Sequence, residues 1–109
     1  MSHDDEINPM RLTQDQQSAI RTAATEAFGP DATVWLFGSR VDDHKKGGDI
    51  DLLVRPSHDA ADQPFSRKIR MLTRLERLLG ERKIDLVIEV DGDKRPIVSI
   101  AHATGVQIK

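Results

Sequence analysis

Apolar residues recur along this chain with two different periods. Ile20, Ala23, Ala24, Ala27 and Phe28 follow the helical spacing of a core-facing stripe. Thr13 stands where an N-cap is wanted and Gln16 three residues later completes a capping box, so the first helix is expected after Leu12. Gly29-Pro30 stops it. Thr33 to Phe37 is a short apolar run bounded by turn signals, which predicts a buried strand. A hydrophilic loop over 41–48 ends in two glycines, and a second strand is expected from Ile50 to Val54, closed by Pro56.

Residues 57–64 are polar and read as a mobile connection. A helix is predicted from about Phe65 to Leu79, with Phe65, Ile69, Leu72, Leu75 and Leu79 as its apolar stripe and basic side chains around the rest. A third strand is expected over Lys83 to Val90, then a turn at Asp91-Gly92-Asp93. Pro96 suits the first turn of a last helix reaching Ala103, with Ile97, Ile100 and Ala101 turned inward. Val106 to Ile108 is long enough for a short edge strand. The order helix, strand, strand, helix, strand, helix predicts an α/β (α+β) domain, a small mixed β-sheet flanked by helices.

The 109 residues suit one domain spanning 1–109, with residues 1–10 as a frayed tail. A net charge of −2 argues against a broad nucleic-acid surface, although a local basic patch is compatible with the many Lys and Arg. Cysteine is absent, which excludes disulfides and thiolate chemistry and fits a cytoplasmic protein. No apolar run approaches the ~20 residues of a membrane span, and the acidic start Met-Ser-His-Asp-Asp-Glu does not resemble a signal peptide.

The chemistry concentrates around the second strand. Asp49 and Asp51 project from one strand face, their Cα atoms about 6.6 Å apart. At an effective dielectric of about 20 such charges repel by 2–3 kcal/mol, which is large beside a total stability of about 5–15 kcal/mol. A divalent cation offsets that repulsion, and hard oxygen ligands favour Mg²⁺ or Mn²⁺. The ordinary alternative is a pair of exposed aspartates matched with lysines. Asp85 is an acidic residue at the head of a third apolar strand. Alone it reads as an edge-strand charge or a partner of Arg82 or Lys83; beside the Asp49 strand it completes a carboxylate triad.

Gly38-Ser39, after an apolar strand, offers backbone N–H groups and a hydroxyl to a phosphate, or else forms an ordinary turn with Ser39 as a cap. Arg40 can grip phosphate as a fork, or pair with Asp42 or Asp43. No histidine has metal-ligand spacing with another, and none is assigned chemistry. No Walker-type phosphate loop is present. The combination fits nucleotidyl transfer, in which a two-metal site clamps the attacking and leaving oxygens of an in-line displacement.

Phe37-Gly38-Ser39-Arg40, Gly48-Asp49-Ile50-Asp51-Leu52-Leu53-Val54 and Ile84-Asp85-Leu86-Val87-Ile88 resemble the minimal nucleotidyltransferase group of the DNA polymerase β superfamily. Gly48 stands where that group often has Ser. The resemblance implies a triphosphate-binding turn at Gly38, Ser39 and Arg40. It implies a catalytic, metal-binding triad of Asp49, Asp51 and Asp85 holding two Mg²⁺ ions, with Mn²⁺ as a substitute. It further implies a substrate of ATP or another nucleoside triphosphate, and an antitoxin role toward a HEPN-domain toxin that receives AMP on a tyrosine. Two alternatives stay open: neutralisation of the toxin by occlusion alone, and transfer to a small molecule or an RNA end. The core uses almost every residue, so the acceptor is expected to be held by a second copy or another protein, in a homo- or hetero-oligomer. The chain has no tyrosine of its own to modify.

Overall fold

A computed structural model describes residues 12–37 and 50–109. Helix α1 spans Gln14–Phe28. Its start is the expected capping box: Gln16 N–H donates to Thr13 Oγ1 at 3.1 Å, and Thr13 N–H donates to Gln16 Oε1 at 2.9 Å. Ile20, Ala23, Ala24, Ala27 and Phe28 are all fully buried, as their spacing predicts. Gly29 ends the helix at φ +97°, where side chains are strained.

Gly29 also resolves an incorrect expectation about the 57–64 segment. Ser57 is buried, its N–H donates to Phe28 O at 2.9 Å, and its Oγ accepts from Asp31 N at 2.8 Å. A short 3₁₀ turn, His58–Ala60, follows and buries Ala60. The polar composition hid a segment tied to the end of α1. A Cβ at Gly29 would stand 2.4 Å from Ser57 Oγ. Gly29→Ala is therefore expected to destabilise the protein by about 1–3 kcal/mol, read as a lower urea midpoint at unchanged slope.

Strands β1 (Thr33–Phe37), β2 (Ile50–Arg55), β3 (Ile84–Ile88) and β4 (Val106–Gln107) form one sheet in the order β3-β2-β1-β4. β1 lies antiparallel to β2 and β4, while β2 and β3 are parallel. The sheet is therefore mixed, as expected from the element order. Alternation divides its residues between two faces. Val34, Leu36, Ile50, Leu52, Val54 and Leu86 turn to one side, packing with the buried face of α1 and with Met71 and Leu75 of α2 (Pro64–Leu79). Phe37 and Leu53 turn the other way, against Val98 and Ala101 of α3 (Pro96–Thr104), with Trp35 and Val87 packed beside them.

The two later helices bury faces that differ in part from the expected stripes. In α2 Leu75 is fully buried and Leu72 and Leu79 pack against the core as expected, with Met71 buried beside them, whereas Phe65 is 72% and Ile69 48% exposed. At about 100° per residue, Phe65 and Ile69 stand roughly 80–160° around the helix from Met71 and Leu75. The Arg74–Glu26 pair at 2.9 Å and the Arg67 bond to Ala27 O at 2.9 Å fasten α2 to α1. In α3 Ala101 faces inward as expected, but Val98 takes the place assigned to Ile97 and Ile100. A short helix with several apolar faces does not declare which one is buried.

Candidate active site

The register across the sheet is the central observation. Phe37 pairs with Asp51 on β2, and Asp51 pairs with Asp85 on β3. Residues paired in a ladder point to the same side of the sheet, at the ~4.8 Å spacing of neighbouring strands. Asp51 and Asp85 thus share the face carrying Phe37, Leu53 and Val87. Asp51 is half-buried in the row; Asp85 is exposed on the edge strand. Both stand one residue inside the start of their strands, Ile50-Asp51 and Ile84-Asp85, so the row lies at one end of the sheet.

Gly38, Ser39, Arg40 and Asp49 lie outside the described residues. Among the described residues no group of three or more His, Asp and Glu side chains could hold a metal ion. Asp51 and Asp85 are two of the three carboxylates named from the sequence. As a donor set, side-by-side carboxylates at a sheet end fit a hard divalent cation.

Helix α3 limits the space around this row. It begins beside the C-terminal end of β3, where Arg95 Nη2 donates to Ile88 O at 2.6 Å. It ends against the C-terminal end of β1, where a Cβ at Gly105 would lie 2.8 Å from Leu36 O and 3.2 Å from Phe37 Cβ. The helix therefore crosses the face diagonally. Trp35, Leu53 and Val87 form the cross-strand row packed beneath it; Asp51 and Asp85 lie toward one end of the sheet, and Arg55 on the side away from them.

A polar network holds that second side. Glu89, only 9% exposed, accepts from Arg55 at 3.1 Å and meets His102 Nε2 at 2.8 Å. His102 also stands edge-on to Trp35, ring centroids 4.7 Å apart. Arg55 reaches Asp91 at 3.1 Å. His102 is thus engaged in structure, a role that spacing between histidines could not disclose. The network holds α3 at residues outside the aspartate row.

The start of α3 is fixed by Asp93. Its carboxylate accepts from Val90 N, Arg95 N and the Arg95 guanidinium, the last at 2.6 Å. The Arg95 guanidinium, as the leading cause, holds the Asp93 carboxyl well below its ordinary value of 3.8. A depressed folded-state value means that the ionised carboxylate stabilises the fold throughout the range above 3.8, and that this contribution disappears as acid carries the pH down through the folded-state value. Asp93→Asn is expected to lower the melting temperature at neutral pH and to flatten its decline in acid, measured by thermal melts across a pH series.

A cavity of about 540 Å³ opens between α2 and the start of β3, lined by Leu72, Glu76, Glu81, Arg82, Lys83 and Ile84. Leu72 and Ile84 belong to the α1–α2 side of the sheet, so it stands apart from the aspartate row.

Among the described residues no helix is long and apolar enough to cross a membrane. No curated protein matches the chain. Residues 28–108 match the family described as Polymerase beta, Nucleotidyltransferase. That span runs from the last residue of α1 to the residue after β4 and includes both described aspartates. The small mixed sheet with helices on both faces agrees with that family's fold, and the chain is a member of the polymerase beta nucleotidyltransferase family.

Proposed function

We propose that this protein is a metal-dependent nucleotidyltransferase that moves AMP from ATP onto a hydroxyl of a partner protein in the cytoplasm. The expected acceptor is a tyrosine of a HEPN toxin, which the modification would neutralise. The observation that carries the reading is the in-register pair Asp51 and Asp85 on one face at the sheet end.

Asp49, Asp51 and Asp85 would hold two Mg²⁺ ions. When bound, such ions supply charge neutralisation at the attacking and leaving oxygens. Gly38, Ser39 and Arg40, which follow β1, would hold the triphosphate. Asp85, on the edge strand, stands on the side from which an acceptor can approach. The acceptor oxygen attacks the α-phosphorus, a phosphorus–oxygen bond forms, and the bond to pyrophosphate breaks. The hydroxyl proton passes to the Asp85 carboxylate and then to water. The products are the AMP ester of the acceptor and pyrophosphate.

The test is incubation of the protein with α-phosphate-labelled ATP, Mg²⁺ and the toxin expected as its partner. Label should appear on the partner, and only when both aspartates are present. Absence of label with every nucleoside triphosphate, in a protein that binds Mn²⁺ and nucleotide normally, would refute transfer to that partner.

A further inference from the structure

The outer face of the α1–α2 layer carries an arrangement that nucleotidyl transfer does not use. Helix α2 holds five basic side chains and one acidic, a net +4, in a chain whose net charge is −2. Two depressions adjoin on this face, because Glu26 lines both. The first, about 560 Å³, is lined by Ser18, Arg21, Thr22, Thr25, Glu26 and Lys109. The second, about 280 Å³, is lined by Glu26, Arg70, Thr73, Arg74 and Arg77. Five cationic side chains and four hydroxyls thus surround one carboxylate, which Arg74 already engages at 2.9 Å. Among the described residues no hydrogen bond or ion pair engages the exposed side chains of Arg70 and Arg77. Arg70 and Arg74 are like charges four residues apart, and Arg74 and Arg77 three apart, a spacing that weakens a helix by repulsion. An anion bound across them offsets that repulsion.

We propose that this face docks single-stranded RNA through its sugar–phosphate backbone. The lining decides the occupant. Arginine forks and hydroxyls are the side chains that grip phosphate oxygens. Hydroxyls also exchange hydrogen bonds with the ribose 2′-OH, which DNA lacks. The anchors of a protein interface are apolar and aromatic side chains, and none lines either depression. Phe65 and Ile69 stand ~80–140° around α2 from Arg70 and Arg77, off this groove. Arg21 donates to Ile108 O at 3.3 Å, and Lys109 Nζ to Pro30 O and Ala32 O at 2.8 and 2.9 Å, which fixes both cations at one end of it. The α1–α2 layer covers the sheet face opposite to that of Asp51 and Asp85. The RNA is therefore held, not modified, and the inference stands apart from the proposed nucleotidyl transfer.

The test is fluorescence anisotropy of a labelled oligouridylate of about 20 nucleotides, titrated with the full chain across a salt series. Unlabelled oligouridylate, oligothymidylate of the same length and poly-L-glutamate serve as competitors. The RNA should bind at low salt, with log K falling against log salt by about 0.7 for each phosphate engaged. An Arg70→Gln, Arg77→Gln variant, altered only at exposed side chains, should bind on the order of tenfold more weakly and lose roughly 1.4 from that slope. Lys94→Gln removes an exposed cation from the connection before α3 and should leave affinity and slope in place. No binding at low salt, an unchanged affinity and slope in the double variant, or a comparable loss in Lys94→Gln would each overturn the inference. Poly-L-glutamate competing as well as the unlabelled RNA would overturn it in favour of an acidic protein. Oligothymidylate competing equally well would overturn the assignment to RNA.

Discussion

Replacing Asp51 or Asp85 by Asn is expected to reduce nucleotidyl transfer by ~10³-fold or more, measured as the initial rate of AMP incorporation at saturating Mg²⁺ and ATP. Asn keeps the size of the side chain and one acceptor oxygen. It removes the charge, and so removes most of the attraction for a hard cation. A loss of ~10³ corresponds to about 4 kcal/mol of transition-state stabilisation, a magnitude that a metal ligand can supply and an edge-strand surface charge cannot. Stability should move the other way. Paired across neighbouring strands, the two carboxylates repel when no cation lies between them. Asp85 is exposed, so solvent screens the repulsion, and Asp85→Asn should be more stable in chelator by a few tenths to about 1 kcal/mol. Added Mg²⁺ should stabilise the unaltered protein and leave the variants nearly unmoved. A fall in activity with a fall in stability on Asp85→Asn would instead mark Asp85 as structural.

Leu53→Ala is expected to cost about 2–5 kcal/mol, read from urea or guanidinium unfolding. Leu53 is fully buried and is the central sheet residue under α3, in a cluster with Phe37, Val98 and Ala101. It pairs with Trp35 on one side and Val87 on the other, so its removal leaves a hole that neither strand can close. The α3 side holds far fewer buried residues than the α1–α2 side, and a single deletion there removes a large share of what seats the helix. Against a typical stability of about 5–15 kcal/mol the loss is severe. Leu53 stands two residues from Asp51 on the same face, so the surviving folded protein should also bind metal and nucleotide less tightly.

The sequence disclosed its regular structure where local chemistry decides it. Thr13, Gln16 and Gly29 bracket α1 correctly because capping acts over a few residues. β1 was legible to the residue, since an apolar run between turn signals admits little else. Orientation was harder. Ile97 and Ile100 are as apolar as Val98, and only the sheet beneath chooses among them. Ser57 looked like loop chemistry until Phe28 O and Asp31 N supplied its partners. For the site, both strands open on the same frame, Ile-Asp-Leu, which hinted at equivalent positions for Asp51 and Asp85. The parallel pairing that makes them neighbours is a long-range property that no local window contains. The meeting of Glu89 with His102 is likewise set by the path of α3.

Locating the metal tests the central claim most directly. A crystal structure with Mn²⁺ and a non-hydrolysable ATP analogue should show anomalous density within ~2.0–2.3 Å of carboxylate oxygens from both Asp51 and Asp85, with the α-phosphate in contact with the same ion. Manganese bound elsewhere, or ligated by Asp51 while the Asp85 carboxylate turns to solvent, would contradict it.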